Sequence, residues 1–328
     1  MGILGYAASF EQFHPTDLLN YSKQAEKAGF RAVMASDHFH PWVPSQGQSA
    51  FVWAWMGALG AQTNLRFGTG VTPPGYRYHP AVIAQAAATL EAMFPGRFYL
   101  GLGAGEALNE HIIGDYWPEA AVRLERLMEA IEIIQALFTG KVIKHRGIHF
   151  NVESAKLYTL PDAPPPIYVA TSGPIMAQRT GKFTDGMITV GAADEKIQGL
   201  LERYERGARE AGKDPASMPR ILQVKVSFAE SEELAIEYAM KEWPNGGMNF
   251  PKADIRNPED FEAMSKLVRP ENYKNRVLTT PDLAQHVAYI QHFIDLGFDE
   301  IYVHNVGRNQ DAFIDAYGKE VVPKLNWA

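Results

Sequence analysis

There is no cysteine among the 328 residues. Disulfides, thiolate nucleophiles and cysteine-held metals are thereby excluded, and the absence suits a reducing cytoplasm. An excess of positive charge is missing too. The chain has 31 Lys and Arg against 38 Asp and Glu, a net charge of −7, which argues against a nucleic-acid surface. No apolar run reaches the roughly 18 residues of a membrane span, so none is expected. The opening Met1-Gly2-Ile3-Leu4-Gly5-Tyr6 starts a strand with no basic segment ahead of it, and no signal peptide is read there. No Gly-x-Gly-x-x-Gly follows the first apolar run, and no Gly-x-Ser-x-Gly elbow occurs. His111, His145 and His149 are scattered without metal-ligand spacing, so no metal is assigned.

What is present is an ordinary globular balance, 46% hydrophobic and 21% charged, in a chain long enough for one large barrel or two domains. Short apolar runs alternate with amphipathic stretches. Strands are expected at 3–8, 32–35, 65–71, 97–103, 166–171, 186–190, 221–228 and 300–304. Helices are expected at 17–28, 50–61, 80–93, 121–138, 173–181, 196–211, 283–296 and 311–322. Eight such units fit an α/β (β/α)8 TIM barrel over 1–328, with a doubly wound open sheet as the alternative. Two segments interrupt the alternation. Residues 141–158 read as a hairpin turning at Arg146-Gly147. Residues 243–280 are too long for an ordinary loop and read as a lid or substrate loop.

The densest chemistry is Ser36-Asp37-His38-Phe39-His40-Pro41-Trp42, directly after the second strand. In a parallel barrel that rim is where ligands bind. An Asp-His pair can orient and activate a base, and the indole offers a flat polar wall. The plainer reading is that Asp37 caps a loop and Trp42 packs. Gly103-Ala104-Gly105-Glu106-Ala107-Leu108-Asn109-Glu110 leaves the fourth strand on the same rim. Its glycines permit close backbone approach, and Glu106 is either a site carboxyl or a helix cap. Asp37 and Glu106 are conceivable as a glycosidase pair, though the adjacent His and Trp fit that chemistry less well. The Pro- and Gly-rich stretch from Gly68 to Pro80 enforces an irregular backbone that is either a backing for a planar ligand or a stiff loop. Ala170-Thr171-Ser172-Gly173-Pro174 runs from a strand into a helix. Either its free N–H groups and helix dipole form an anion site for a phosphate-bearing cofactor, or it is a routine strand–helix junction.

These residues resemble the luciferase-like flavin and deazaflavin oxidoreductases, and within them the coenzyme F420-dependent glucose-6-phosphate dehydrogenases and their alcohol dehydrogenase relatives. The motifs that carry the likeness are Glu11-Gln12-Phe13, the 36–42 stretch, Tyr78-His79-Pro80-Ala81-Val82-Ile83-Ala84-Gln85 and the 103–110 stretch. The resemblance implies a TIM barrel with F420, or alternatively FMN, across its C-terminal rim, and a homodimer. It implies that Asp37 contacts the ring and that His38 is the base on the substrate hydroxyl. Trp42 then steadies the reacting oxygen, and Glu106 donates a proton near the ring. Gly105 and Asn109 belong to the same cofactor wall. A cis peptide behind the ring falls at Gly70-Val71. Phosphate contacts fall at Ala170, Thr171, Ser172 and Gly173 and at Val190 and Gly191. Lys252 and Arg276 match two basic positions of the sugar-phosphate members. The third, a lysine after the sixth strand, has no counterpart in Gly191-Ala192-Ala193-Asp194.

The expected reaction is hydride transfer between an alcohol or sugar hemiacetal, with a sugar phosphate included, and the deazaflavin. The alternatives are an FMN-dependent reductase or monooxygenase and a flavin-binding barrel without activity.

Overall fold

Eight short, mostly apolar runs become parallel strands in the computed structural model, which describes residues 2–327. Met1 and Ala328, the ends of the expected 1–328 domain, lie outside the described residues. The strands are β1 (Ile3–Ala8), β2 (Ala32–Ala35), β3 (Arg66–Thr69), β4 (Phe98–Leu102), β5 (Ile143–Arg146), β6 (Asn151–Ala155), β7 (Ile167–Ala170), β8 (Gly186–Val190), β9 (Arg220–Ser227), β10 (Leu278–Thr279) and β11 (Glu300–Asn305). The order β1-β2-β3-β4-β7-β8-β9-β11 closes on itself, because β8 also pairs with β9 and β11 with β1. Closure removes the open-sheet alternative and leaves a (β/α)8 barrel. Helices between the strands form the outer ring.

The helices start where the sequence supplies donors and acceptors for their free ends. Pro80 needs no hydrogen-bond partner at the first position of helix Pro80–Met93, and His79 Nδ1 accepts from the Ala81 N–H at 3.2 Å. His79 is therefore a cap rather than a site residue. Helix Asp194–Glu210 buries Ile197, Leu200, Leu201, Tyr204 and Ala208, a stripe at three- and four-residue spacing. Each fully buried Leu or Ile on such a stripe contributes about 1.5–3 kcal/mol.

Inside the barrel, large residues fill space left by glycines. A Cβ on Gly5 would lie 2.3 Å from the Tyr302 ring, and one on Gly68 would lie 2.4 Å from that of Tyr99. At the closed end Arg66 pairs with Glu300, and the Tyr302 hydroxyl donates to Glu300 at 2.9 Å. This end is structural. Function belongs to the opposite rim.

The 141–158 segment is a hairpin, β5 with β6. Its turn runs over 147–150, closed by Gly147 N–H to the Phe150 carbonyl at 2.9 Å, just past the expected position. The 243–280 segment is not a bare loop. It contains helices Pro244–Gly247 and Pro258–Ser265, a 3-10 turn at Pro270–Tyr273, and β10, which pairs with β9. Helix Glu232–Glu242 precedes it and was not anticipated, although Ser231 Oγ caps it by accepting from Leu234 N–H at 3.2 Å. The last expected helix, 311–322, ends at Ala316 and passes into a wider turn over Tyr317–Val321.

Candidate active site

A cavity of about 650 Å³ opens at the C-terminal ends of the strands. Asp37, His38, Trp42, Gly70, Val71, Gly105, Glu106 and Asn109 all line it, as do Ala170, Thr171, Ser172, Gly173 and Val190. His38 and Glu106, 68 positions apart in the chain, thus face one space. The peptide bond between Gly70 and Val71 is cis, where the resemblance places one.

His38 is fixed from two sides. Its Nδ1 lies 3.1 Å from the His40 carbonyl, and its Nε2 lies 3.4 Å from Glu11 Oε1. A carbonyl only accepts, so the neutral ring carries its proton on Nδ1 and its lone pair on Nε2. Asn109 holds the loop, its Oδ1 accepting from the N–H groups of Phe39 at 2.9 Å and His40 at 3.1 Å. Trp42 packs on His38 with ring centres 5.2 Å apart. The carboxylate that serves His38 is therefore Glu11, not Asp37. Adjacent residues leaving a strand point in opposite directions, and Asp37 turns away. Its carboxylate accepts from Thr72 Oγ1 at 2.7 Å, and from Arg77 and the Tyr78 hydroxyl at 3.2 Å each. Arg77 also binds Glu110 at 2.8 Å, so one buried base ties two buried acids beneath the rim. Burial works against the Arg77 charge, yet Asp37 and Glu110 outweigh it and hold its pKa above the ordinary value.

Glu11 and Glu106, both on the cavity wall, have opposite tendencies. Burial would raise Glu11, but His38, the Ser36 hydroxyl and backbone N–H groups outweigh it and hold it below the usual range. Ser36 Oγ donates to it at 2.7 Å and Ser9 Oγ at 3.0 Å. Glu106 is pushed up by burial and by Glu11, with His38, Lys252 and Lys225 opposing. It precedes helix Ala107–Glu110 but makes no capping bond, so the plainer capping role is not what its side chain does. The surroundings thus favour the charged form of Glu11 and the neutral form of Glu106, a division suited to acid–base chemistry.

Three expected residues are not on the cavity wall. Gly191 spends its N–H on the Gln223 carbonyl at 3.2 Å, so it has none left for a phosphate. Lys252 Nζ donates to the Asn245 carbonyl at 2.9 Å, and Arg276 donates to Met248 O at 3.1 Å and Asn249 Oδ1 at 2.5 Å. Both hold the 245–249 loop together. Lys252 still acts electrostatically on Glu106 from the roof.

The wall residues that were missed include Glu11 and the pair Lys225 on β9 and His304 on β11, which lie opposite each other in register. Burial, then Lys225, drives His304 down to about 3, so it stays neutral, with Nε2 2.9 Å from Gln12 Oε1. A signal existed. In Ile221-Leu222-Gln223-Val224-Lys225 the polar residues share the inward face of a strand buried on both sides.

The cavity fits a long planar cofactor with an anionic arm. Its volume lies within the range of cofactor sites. A Cβ on Gly103 would fall 2.4 Å from Val71 Cγ2, whereas one on Gly173 would meet nothing within 4 Å. Helix Pro174–Phe183 begins at Gly173 with no side-chain cap, which leaves its first N–H groups free for an anion.

The profile of the luciferase-like monooxygenase family matches residues 3–300. The chain belongs to this luciferase-like family. Within it, an F420-dependent glucose-6-phosphate dehydrogenase of Microbacterium testaceum is 37% identical over 324 residues, 98% of this chain and 96% of that protein. One from Nocardia farcinica is 36% identical, covering 98% and 97%. The solved F420-dependent secondary alcohol dehydrogenase, in complex with an F420–acetone adduct, superposes with a TM-score of 0.94 at 33% identity, covering 99% of each chain.

Proposed function

We propose that this chain is an F420-dependent dehydrogenase that passes a hydride between the carbinol carbon of an alcohol or hemiacetal and the deazaflavin. The carrying observation is the convergence of the His38 imidazole and the Glu106 carboxyl on one cavity backed by Gly70 and Val71. Bound F420 supplies a hydride acceptor at C5 of its ring. The protein supplies the rest.

The substrate hydroxyl faces His38, whose Nε2 lone pair takes its proton. Glu11, 3.4 Å away and held towards its charged form by its neighbours, stabilises the imidazolium that results. A positioned base of this kind contributes about 10²–10⁴-fold in rate. Trp42 walls the reacting oxygen. Glu106, which burial tilts towards its protonated form, faces the charge that develops as hydride moves. Asp37, locked by Thr72, Arg77 and Tyr78, is a rigid wall for the ring, shared with Gly105 and Asn109. Residues 170–173 and the start of helix Pro174–Phe183 would hold the phosphate. A cytoplasmic homodimer is part of the same proposal. No helix among the described residues is long and apolar enough to cross a membrane.

The test is a fluorescence titration of the protein with F420 and with FMN in parallel, then hydride transfer in His38→Ala and Glu106→Gln. F420 binding and a loss of about 10²-fold or more in His38→Ala are expected. Binding of FMN alone, or near-normal transfer in both variants, refutes the reading.

A further inference from the structure

We propose that Lys225 is the floor of an anion subsite, and that the natural substrate carries a carboxylate or phosphate close to its carbinol carbon. The inference rests on the dehydrogenase reading and names the substrate class of that same site.

Lys225 reaches the cavity from the inward face of β9, beside His304 on β11. Among the described residues no carboxylate lies within ion-pair distance of its ammonium. Its nearest partners are the neutral Gln223 Oε1 at 3.3 Å and the face of Trp243, with the ring centre 5.9 Å away. A charge withdrawn from water without a counter-ion is costly. The neighbours do not remove that cost. Glu11 is committed to His38, Ser36 and Ser9. Glu106 is held towards its neutral form by burial. Lys252, from the roof, adds charge of the same sign, and His304 is neutral. Lys225 thus has no direct counter-ion among the described residues, and an anionic substrate supplies one.

Position narrows the class further. Lys225 lines the same cavity as Glu11 and Glu106, the two carboxyls that flank the reaction. An anion on Lys225 thus lies near the reacting carbon rather than at the far end of a hexose chain. Hydroxy acids and short hydroxyalkyl phosphates fit. Glucose 6-phosphate, whose charge lies several bonds from its reacting carbon, fits less well. A lysine after β8, where Gly191-Ala192-Ala193-Asp194 stands, is not needed in this arrangement.

The experiment compares kcat/KM for lactate, 3-hydroxybutyrate, 2-hydroxypropyl phosphate, glucose 6-phosphate and 2-propanol in the wild type, Lys225→Met and Lys225→Arg. F420 titration of each variant runs beside it. The wild type is expected to prefer a short anion over 2-propanol. That preference should fall about 10–100-fold in Lys225→Met, the worth of one charged hydrogen bond, and partly return in Lys225→Arg. It should also decline as pH rises through about 8, where burial and Lys252 place the ammonium against the pull of Glu11 and Glu106. Which short anion leads separates carboxylate from phosphate. An equal fall for 2-propanol, a wild-type preference for glucose 6-phosphate or for 2-propanol, or a matching loss of F420 affinity overturns the inference. In the last case Lys225 pairs with the cofactor. Failure of F420 to bind the wild type overturns the dehydrogenase reading instead.

Discussion

Replacing Glu11 by Gln removes one charge and little else. The amide oxygen still accepts from Ser36 Oγ and Ser9 Oγ, which now sit 2.7 and 3.0 Å from the carboxylate. What is lost is the negative partner 3.4 Å from His38 Nε2. A hydrogen bond to a charged group contributes about 1.5–3 kcal/mol and a neutral one about 0.5–1.5, a difference of roughly 1–1.5 kcal/mol. That difference corresponds to about a 5- to 15-fold fall in hydride transfer, since about 1.4 kcal/mol is tenfold. The 3.4 Å contact is longer than a good charge-assisted bond, so the lower end is expected unless the pair tightens as the imidazolium forms. The assay is single-turnover loss of F420 fluorescence, with F420 affinity as the check that the site is intact. His38→Ala should cost far more, about 10²–10⁴-fold. The decisive comparison is the double variant. If Glu11 acts through His38, then Glu11→Gln costs nothing further once His38 is gone. A double variant slower than His38→Ala by the full Glu11→Gln factor refutes the pairing.

Arg77→Met strands Asp37 and Glu110, both buried, and should destabilise by about 3–5 kcal/mol in a urea melt. An unchanged midpoint means the triad adds nothing. Gly103→Ala pushes a methyl to 2.4 Å from Val71 Cγ2 and should weaken F420 binding about tenfold, with an overpacking cost of about 1–3 kcal/mol. Unaltered affinity would show that Val71 does not back the ring. Lys225→Met should stabilise the ligand-free protein by about 1–3 kcal/mol at pH 7. The folded ammonium titrates at about 8 against an ordinary 10.5, so its protonated form opposes folding below pH 8. Between those values the wild type recovers, and the variant's advantage should shrink as pH rises, read from melts at pH 7 and 10.

The barrel was legible because its signal is local. Each strand is a short apolar run, and all eight appear within two residues of their expected bounds. Residues 36–42 and 103–110 were legible because polar side chains cluster directly after such runs. The partner of His38 was not, because chain order favours the neighbour Asp37 while the fold delivers Glu11 from the turn after β1. Lys252 and Arg276 were placed by likeness, yet their side chains serve loop carbonyls that no sequence pattern marks. Lys225 and His304 stayed hidden inside runs read only as core, although their alternation with apolar residues held the clue.

The roof over the cavity has a small core of its own. Trp243, Met248, Phe261, Val268, Tyr273 and Val277 pack together, with Trp42 against Phe261 at 5.3 Å, apart from the main barrel cluster. It is pinned beside Glu106 through Ala107 N–H to the Ala253 carbonyl at 2.7 Å. Substitutions in this cap can therefore alter what the cavity admits while the strands below keep His38 and Glu106 in place.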